Sequence, residues 1–214
     1  MIASRALGLA LAVLVHASAV TAQNPAHVPI GSVADGFVDT PNGRGLLPTA
    51  VAEAEIAIEH SGLAAADLGN LEAIKRHTGH VLHALDPSLV QGGPGLGYGV
   101  KRAAEGVIQQ IELAATVDGA SENVRTHAVH IAGASRGVLQ RADRIIALAR
   151  QIQATNSGVA AATAVQELNT LTQALVSGRD ADADGRIGWQ ETEGGLRQVQ
   201  QHVTLLKRGE GLTF

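Results

Sequence analysis

The sequence has 214 residues, a formal net charge of −4, 45% hydrophobic residues and no cysteine. A chain without cysteine forms no disulfide, no thiolate metal site and no iron–sulfur cluster. The slightly acidic balance gives no reason to expect nucleic acid or an anionic membrane as a partner.

Residues 1–22 have the pattern of a secretory signal peptide. Arg5 precedes the apolar residues 6–15, and a stretch of small residues ends at Ala22, so cleavage is expected before Gln23. We therefore expect a periplasmic or secreted protein, with an uncleaved, tethering signal as the alternative. No later stretch approaches the roughly 20 apolar residues of a spanning helix, so no membrane association is expected after cleavage.

The rest of the chain predicts helices and no strands. Residues 23–47 contain three prolines and several glycines without a sustained period, which predicts an irregular N-terminal segment. Six stretches with helical periodicity follow. The first five cover residues 48–62, 67–85, 100–117, 121–155 and 159–177. The sixth begins at residue 189 or 191 and ends at about residue 207. A bend at residues 133–137 is expected to shorten the long fourth helix.

This pattern predicts an all-α fold, a four- to five-helix bundle ending in a helix–loop–helix. Residues 48–158 would form the bundle, and residues 159–214 would pack on it as the helix–loop–helix. The glycine-dense residues 91–99 are predicted to be a loop that leads into a helix. A phosphate-binding loop is disfavoured there, because the GKS or GKT ending is missing.

The stretch "DADADGRIGWQE", residues 180–191, carries the clearest chemical signal. Aspartates on alternate positions can offer their oxygens to one hard cation, and a glycine at the following position permits the sharp turn that the chain then needs. The stretch resembles the calcium-binding loop of the EF-hand family, calmodulin type. The resemblance implies Ca²⁺, or a lanthanide, bound by five residues. These are Asp180, Asp182, Asp184, Arg186 through its backbone carbonyl, and Glu191 through both carboxylate oxygens.

Several alternatives for this loop remain open. EF-hands usually work in pairs, and no second loop of this pattern occurs in the sequence, so a homodimer, a protein partner or weak binding is expected. A differently wound loop would use Glu193 instead of Glu191. The stretch could also be a calcium loop of the dockerin type or a solvated acidic turn.

Histidines at helical spacing give a second candidate site. "HTGHVLH" contains His77, His80 and His83, and "HAVH" contains His127 and His130. A spacing of three places neighbours on one side of a helix, close enough to share a metal ion. His77, His80, His127 and His130 are therefore candidate transition-metal ligands.

Other histidines and acids could complete such a site. His60 and His202 lie on two further predicted helices, and Glu105 or Glu112 could add a carboxylate. From His77 to His83 the row drifts away from the apolar stripe, which argues against a buried three-histidine site on that helix alone. Solvated or hydrogen-bonded surface histidines, and pH sensing, are the alternatives.

No catalytic constellation is found, so no enzyme activity is predicted. The leading hypothesis is an exported calcium-binding protein in which the ion orders the C-terminal helix pair, for a structural role or a calcium-dependent interaction. The alternative is a periplasmic bundle that binds copper, iron or zinc through its histidines, with calcium as a structural clamp.

Overall fold

A computed structural model describes residues 24–213, and within that range the protein is entirely helical, which confirms the all-α prediction. The seven α-helices of the described chain are α1 (His27–Ala34), α2 (Leu46–Ala66), α3 (Leu71–Leu85), α4 (Val100–Thr116), α5 (Glu122–Ala154), α6 (Gly158–Ser177) and α7 (Leu196–Gly209). The expected signal peptide at residues 1–22 lies outside the described residues. Among residues 24–213, none of the helices combines the length and the hydropathy of a membrane-spanning segment.

Helix α1 lies in the segment that was predicted to be irregular, so that prediction is wrong for residues 27–34. A 3₁₀ turn at Pro41–Gly43 adds a second short element. Pro29 stands in the first turn of α1, where a missing backbone N–H costs nothing. Ile30 and Val33 are buried, and the helix packs mainly on α4.

The core is aliphatic and lies around α5, which packs against α3, α4, α6 and α7. Helix α2 packs against α3, α4 and α6 on the other side. Ala50, Ala54 and Ala57 of α2 are fully buried, and such small side chains let neighbouring helices approach closely. The Ser61 and Thr172 hydroxyls, 2.6 Å apart, add a buried hydrogen bond between α2 and α6.

Helix α5 is unbroken for 33 residues, so the bend expected at residues 133–137 is not present as a break in the helix. Its glycines have another role, because both face the segment between α6 and α7. A Cβ atom at Gly133 would lie 3.2 Å from the Trp189 ring, and one at Gly137 would collide with the Glu191 carbonyl oxygen. These glycines therefore let the acidic segment lie directly on α5.

The last helix begins at Leu196, later than the predicted start at Trp189 or Glu191. Residues 191–193 form a turn, and Gly195 is the N-cap of α7. Two consecutive glycines, Gly194 and Gly195, disfavour helix at this point. The connection between α6 and α7 therefore spans residues 178–195.

Glu210 joins three parts of the bundle at the end of α7. Its carboxylate accepts hydrogen bonds from Ser121 Oγ at 2.5 Å and from Asn123 Nδ2 at 2.9 Å, and it lies 3.3 Å from His27 Nε2. Burial raises the pKa of Glu210, but these hydrogen bonds outweigh burial and lower it overall. The ionised carboxylate is therefore the form that stabilises the fold.

We expect Glu210→Gln to lower the free energy of unfolding by about 1–3 kcal/mol at pH 7, because charge-assisted hydrogen bonds are lost. Since the folded pKa of Glu210 is lowered, its contribution is present above the unfolded pKa of about 4.3 and is lost as the pH falls through the folded value. Urea unfolding of both proteins at pH 7 and near pH 3.5 should show the difference shrinking on acidification. A difference that stays constant across this range would contradict the assignment.

Candidate metal centres

Three histidines from α2 and α3 converge on one point. His60 Nδ1 lies 3.0 Å from His77 Nδ1 and 3.3 Å from His80 Nδ1. One ring nitrogen from each residue lies within 4.8 Å of the other two. We call His60, His77 and His80 the α2–α3 triad.

Three more histidines converge between α5 and α7. His127 Nδ1 lies 3.1 Å from His202 Nδ1, and the His130 ring centroid lies 4.6 Å from that of His202. One nitrogen from each ring again lies within 4.8 Å of the other two. We call His127, His130 and His202 the α5–α7 triad.

Both triads have the same construction, in which an H-x-x-H pair on one helix meets a single histidine on a neighbouring helix. The sequence spacing predicted the pairs His77/His80 and His127/His130 correctly as neighbours. The structure separates these pairs into two sites, because α3 packs on α2 and α5 packs on α7.

The third members, His60 and His202, were noted in the sequence but were not assigned as ligands. On both helices, the spacing of the histidine from apolar residues indicates that it faces the core. His60 follows the buried Ala57 by three residues and precedes the buried Ala64 by four. His202 stands at the same spacing from Val199 and Leu206. Each single histidine therefore lies on the inward side of its helix.

The other candidate residues lie elsewhere. His83 Nδ1 donates to the carbonyl oxygen of Val90 at 3.0 Å and so fixes the loop after α3. Glu112 pairs with Arg136, and Glu105 lines a cavity beside Tyr98. Among the described residues, neither carboxylate belongs to a metal-ligand group.

All six triad histidines have lowered pKa values, chiefly because burial disfavours the imidazolium form. The pKa of His202 falls to about 4, with His130 and His127 adding to the effect of burial. Arg76 also lowers the pKa of His77 and of His80. The rings are therefore neutral at pH 7, which is the form that binds metal ions.

The spacing of the ring nitrogens fits a tetrahedral metal ion. Metal–nitrogen bonds of 2.0–2.1 Å at the tetrahedral angle place two ligand nitrogens about 3.3 Å apart. The close nitrogen pairs of the two triads are 3.0, 3.3 and 3.1 Å apart. A hydrogen bond joins only two nitrogens, and within the described chain the buried Nδ1 of His130 has no hydrogen-bond partner. An ion bound at the centre would accept all three lone pairs.

Trp189 links the α5–α7 triad to the acidic segment. Its ring stacks on His130, with centroids 4.2 Å apart and an interplanar angle of 24°. Trp189 is the only tryptophan of the sequence and belongs to the loop between α6 and α7. This tryptophan therefore touches one triad alone and can report on that site.

In the acidic loop, the carboxylates of Asp180, Asp182 and Glu193 each place an oxygen within 4.8 Å of the other two. Glu193 is buried, and it accepts from the backbone N–H of Gly188 at 2.7 Å. Gly185 has a φ of +83°, as its place in the sharp turn predicted.

The remaining predicted loop ligands lie outside this group of three carboxylates. Asp184 accepts a hydrogen bond from the backbone N–H of Arg186 at 2.8 Å. Glu191 is exposed and accepts from Gln140 of α5. The structure thus places Glu193, the alternative acid, beside the first two aspartates, whereas Glu191 contacts α5.

The fold and these sites define an all-helical bundle that carries two histidine triads and an adjoining acidic loop. Comparison of the chain with protein-family models, with curated proteins and with solved structures gives no match.

Proposed function

We propose that the protein is an exported transition-metal-binding protein that holds one ion in each histidine triad. The observation that carries the proposal is the convergence of three imidazoles, each with a ring nitrogen within 4.8 Å of the other two, formed twice in the bundle. Imidazole ligands suit zinc, copper(II), nickel, cobalt and iron(II), and a set of three leaves a fourth position open for water or another ligand.

We propose metal carriage or buffering as the role of the two sites. Among the described residues, the ligand groups of both triads contain histidine alone. The predicted signal peptide at residues 1–22 would place this capacity in the periplasm or outside the cell.

The stoichiometry of bound metal tests the proposal. Protein stripped with a chelator and dialysed against Co²⁺ or Zn²⁺ should retain two equivalents. His60→Ala and His202→Ala should each retain one, and the double variant should retain none. His27→Ala is the matched control with two equivalents, because His27 contacts Glu210 and belongs to neither triad. Equal stoichiometry in all variants would refute both sites.

Trp189 offers a site-specific optical test. Because Trp189 stacks on His130, Cu²⁺ bound in the α5–α7 triad should quench most of its fluorescence at one equivalent per site. His60→Ala should show the same quenching, whereas His202→Ala should show little. Strong quenching of the His202→Ala protein would place the copper at another site.

The acidic loop supports a second function, the binding of Ca²⁺ or a lanthanide, as its resemblance to the EF-hand loop implies. The favouring observation is that oxygens of Asp180, Asp182 and Glu193 lie within 4.8 Å of one another. Carboxylate oxygens are the ligands that such hard cations prefer. In this proposal the ion would order residues 178–195, which lie against α5.

Terbium luminescence tests this second site. Excitation of Trp189 should sensitise bound Tb³⁺, and added Ca²⁺ should reduce the emission. Asp180→Ala should abolish the signal. Comparison of Glu193→Gln with Glu191→Gln shows which of the two glutamates binds the ion. We expect at least tenfold weaker binding for Glu193→Gln and little change for Glu191→Gln, whose side chain contacts Gln140. Emission that persists in Asp180→Ala would contradict a site in this loop.

A further inference from the structure

A cavity of about 690 Å³ opens beside the α2–α3 triad, between α3, the loop that follows it and the end of α5. His80 lines this cavity and is also a member of the triad. The triad and the cavity therefore share one residue, His80, as a metal ligand and as part of the lining. The volume falls within the range of roughly 300–1,000 Å³ found for small-molecule sites.

The charged side chains that line the cavity are all positive. Lys75, Arg76 and Arg150 line it, and no carboxylate does so within the described chain. In residues 24–213 these three cations take part in no ion pair. Leu82 and Val90 contribute apolar lining. The cavity thus combines unpaired positive charge with a hydrophobic wall.

The two triads consequently differ in electrostatic environment. Arg76 and His80 line the same cavity, so the guanidinium of Arg76 would repel a divalent cation bound by His80. The α5–α7 triad instead lies against Trp189 of the acidic loop. An anion beside the α2–α3 triad would therefore be attracted by the cavity cations as well as by the metal ion.

We infer that the cavity binds a small organic carboxylate whose oxygen occupies the fourth coordination position of the metal in the α2–α3 triad. The carboxylate would displace a metal-bound water. Lys75, Arg76 and Arg150 would neutralise its charge, and its apolar part would lie against Leu82 and Val90. This inference rests on the proposed metal binding and names the partner ligand of one of the two sites.

Single-triad proteins loaded with Co²⁺ provide the test, since visible absorption of Co²⁺ reports a change of ligand. His202→Ala keeps the α2–α3 triad, and His60→Ala keeps the α5–α7 triad as the matched control. Benzoate should change the spectrum of His202→Ala at a concentration at least tenfold lower than for His60→Ala. Acetate and inorganic phosphate should bind more weakly than benzoate, and benzyl alcohol should cause no change.

Variants of the cavity, made in the His202→Ala protein, separate its charge from its shape. Arg76→Gln and Arg150→Gln should each weaken benzoate binding about threefold, as expected for one unit charge several ångströms away in a watery site. Arg76→Gln should at the same time strengthen Co²⁺ binding in the absence of benzoate. Arg144→Gln is the control on α5, because Arg144 pairs with Glu167 outside the cavity.

Gly79→Leu places a larger side chain in the cavity, which Gly79 lines. The nearest atom to a Cβ at Gly79 is Gln153 Nε2 at 3.9 Å, so a larger side chain has room to enter. It should abolish the benzoate response of the Co²⁺-loaded protein. If Co²⁺ binds to neither single-triad protein, the proposed function fails. If Co²⁺ binds but benzoate acts equally at both triads, or phosphate matches benzoate, the present inference is overturned.

Discussion

Zinc at a hundredfold excess over its dissociation constant should raise the free energy of unfolding by about 5 kcal/mol. Each site that is present only in the folded protein contributes about 2.7 kcal/mol at that excess. The two contributions should add, because the triads lie on different helix pairs, α2 with α3 and α5 with α7. Urea unfolding with and without zinc measures this quantity, and a chelator should reverse it.

Each single variant removes one of the two triads and should therefore lose one share of the stabilisation by zinc. His60→Ala and His202→Ala should each keep about half of the zinc stabilisation, and His27→Ala should keep all of it. Zinc that stabilises the His60→Ala/His202→Ala double variant as strongly as the unmodified protein would show that the ion is held elsewhere.

The sequence could predict the histidine pairs and the inward side of His60 and His202, but it could not predict which pair each single histidine meets. His77 and His80, like His127 and His130, are neighbours through helical geometry alone, which the sequence encodes locally. The third ligand of each triad comes from a helix whose packing partner only the tertiary structure defines. As expected from the drift of the histidine row along α3, His83 does not join His77 and His80 but bonds to Val90.

The acidic loop shows the same division between local and tertiary information. The positive φ of Gly185 follows from a local rule and is confirmed. The choice between Glu191 and Glu193 depends on Gln140 of α5, which bonds to Glu191, and on the later start of α7. The stacking of Trp189 on His130 is likewise accommodated by Gly133 of α5, a residue that was predicted to belong to a bend.

Glu53 was not singled out in the sequence, although it anchors the glycine-dense loop of residues 91–99. Its side chain is fully buried, with 0% exposure, on α2. It accepts backbone hydrogen bonds from Leu96 at 3.2 Å, Tyr98 at 2.8 Å and Gly99 at 3.0 Å. One carboxylate therefore satisfies three N–H groups of a loop that has no regular structure of its own.

We expect Glu53→Ala to lower the free energy of unfolding by about 3–5 kcal/mol, because it leaves three backbone N–H groups without their acceptor. Glu53→Gln keeps one carbonyl oxygen for Tyr98 and Gly99 but turns an amide N–H₂ group toward Leu96, so roughly half of that loss is expected. Urea unfolding measures both values, and hydrogen exchange at residues 96–99 should accelerate in the alanine variant.

Glu55→Ala is the matched control, since Glu55 is an exposed acid on the same helix and should change stability by no more than about 0.5 kcal/mol. A Glu53→Ala protein as stable as this control would show that the loop does not depend on the carboxylate. Glu53 belongs to neither triad, so Glu53→Gln should still bind two equivalents of zinc. The loop anchor and the metal sites are therefore separable, although Glu53 and His60 lie on the same helix.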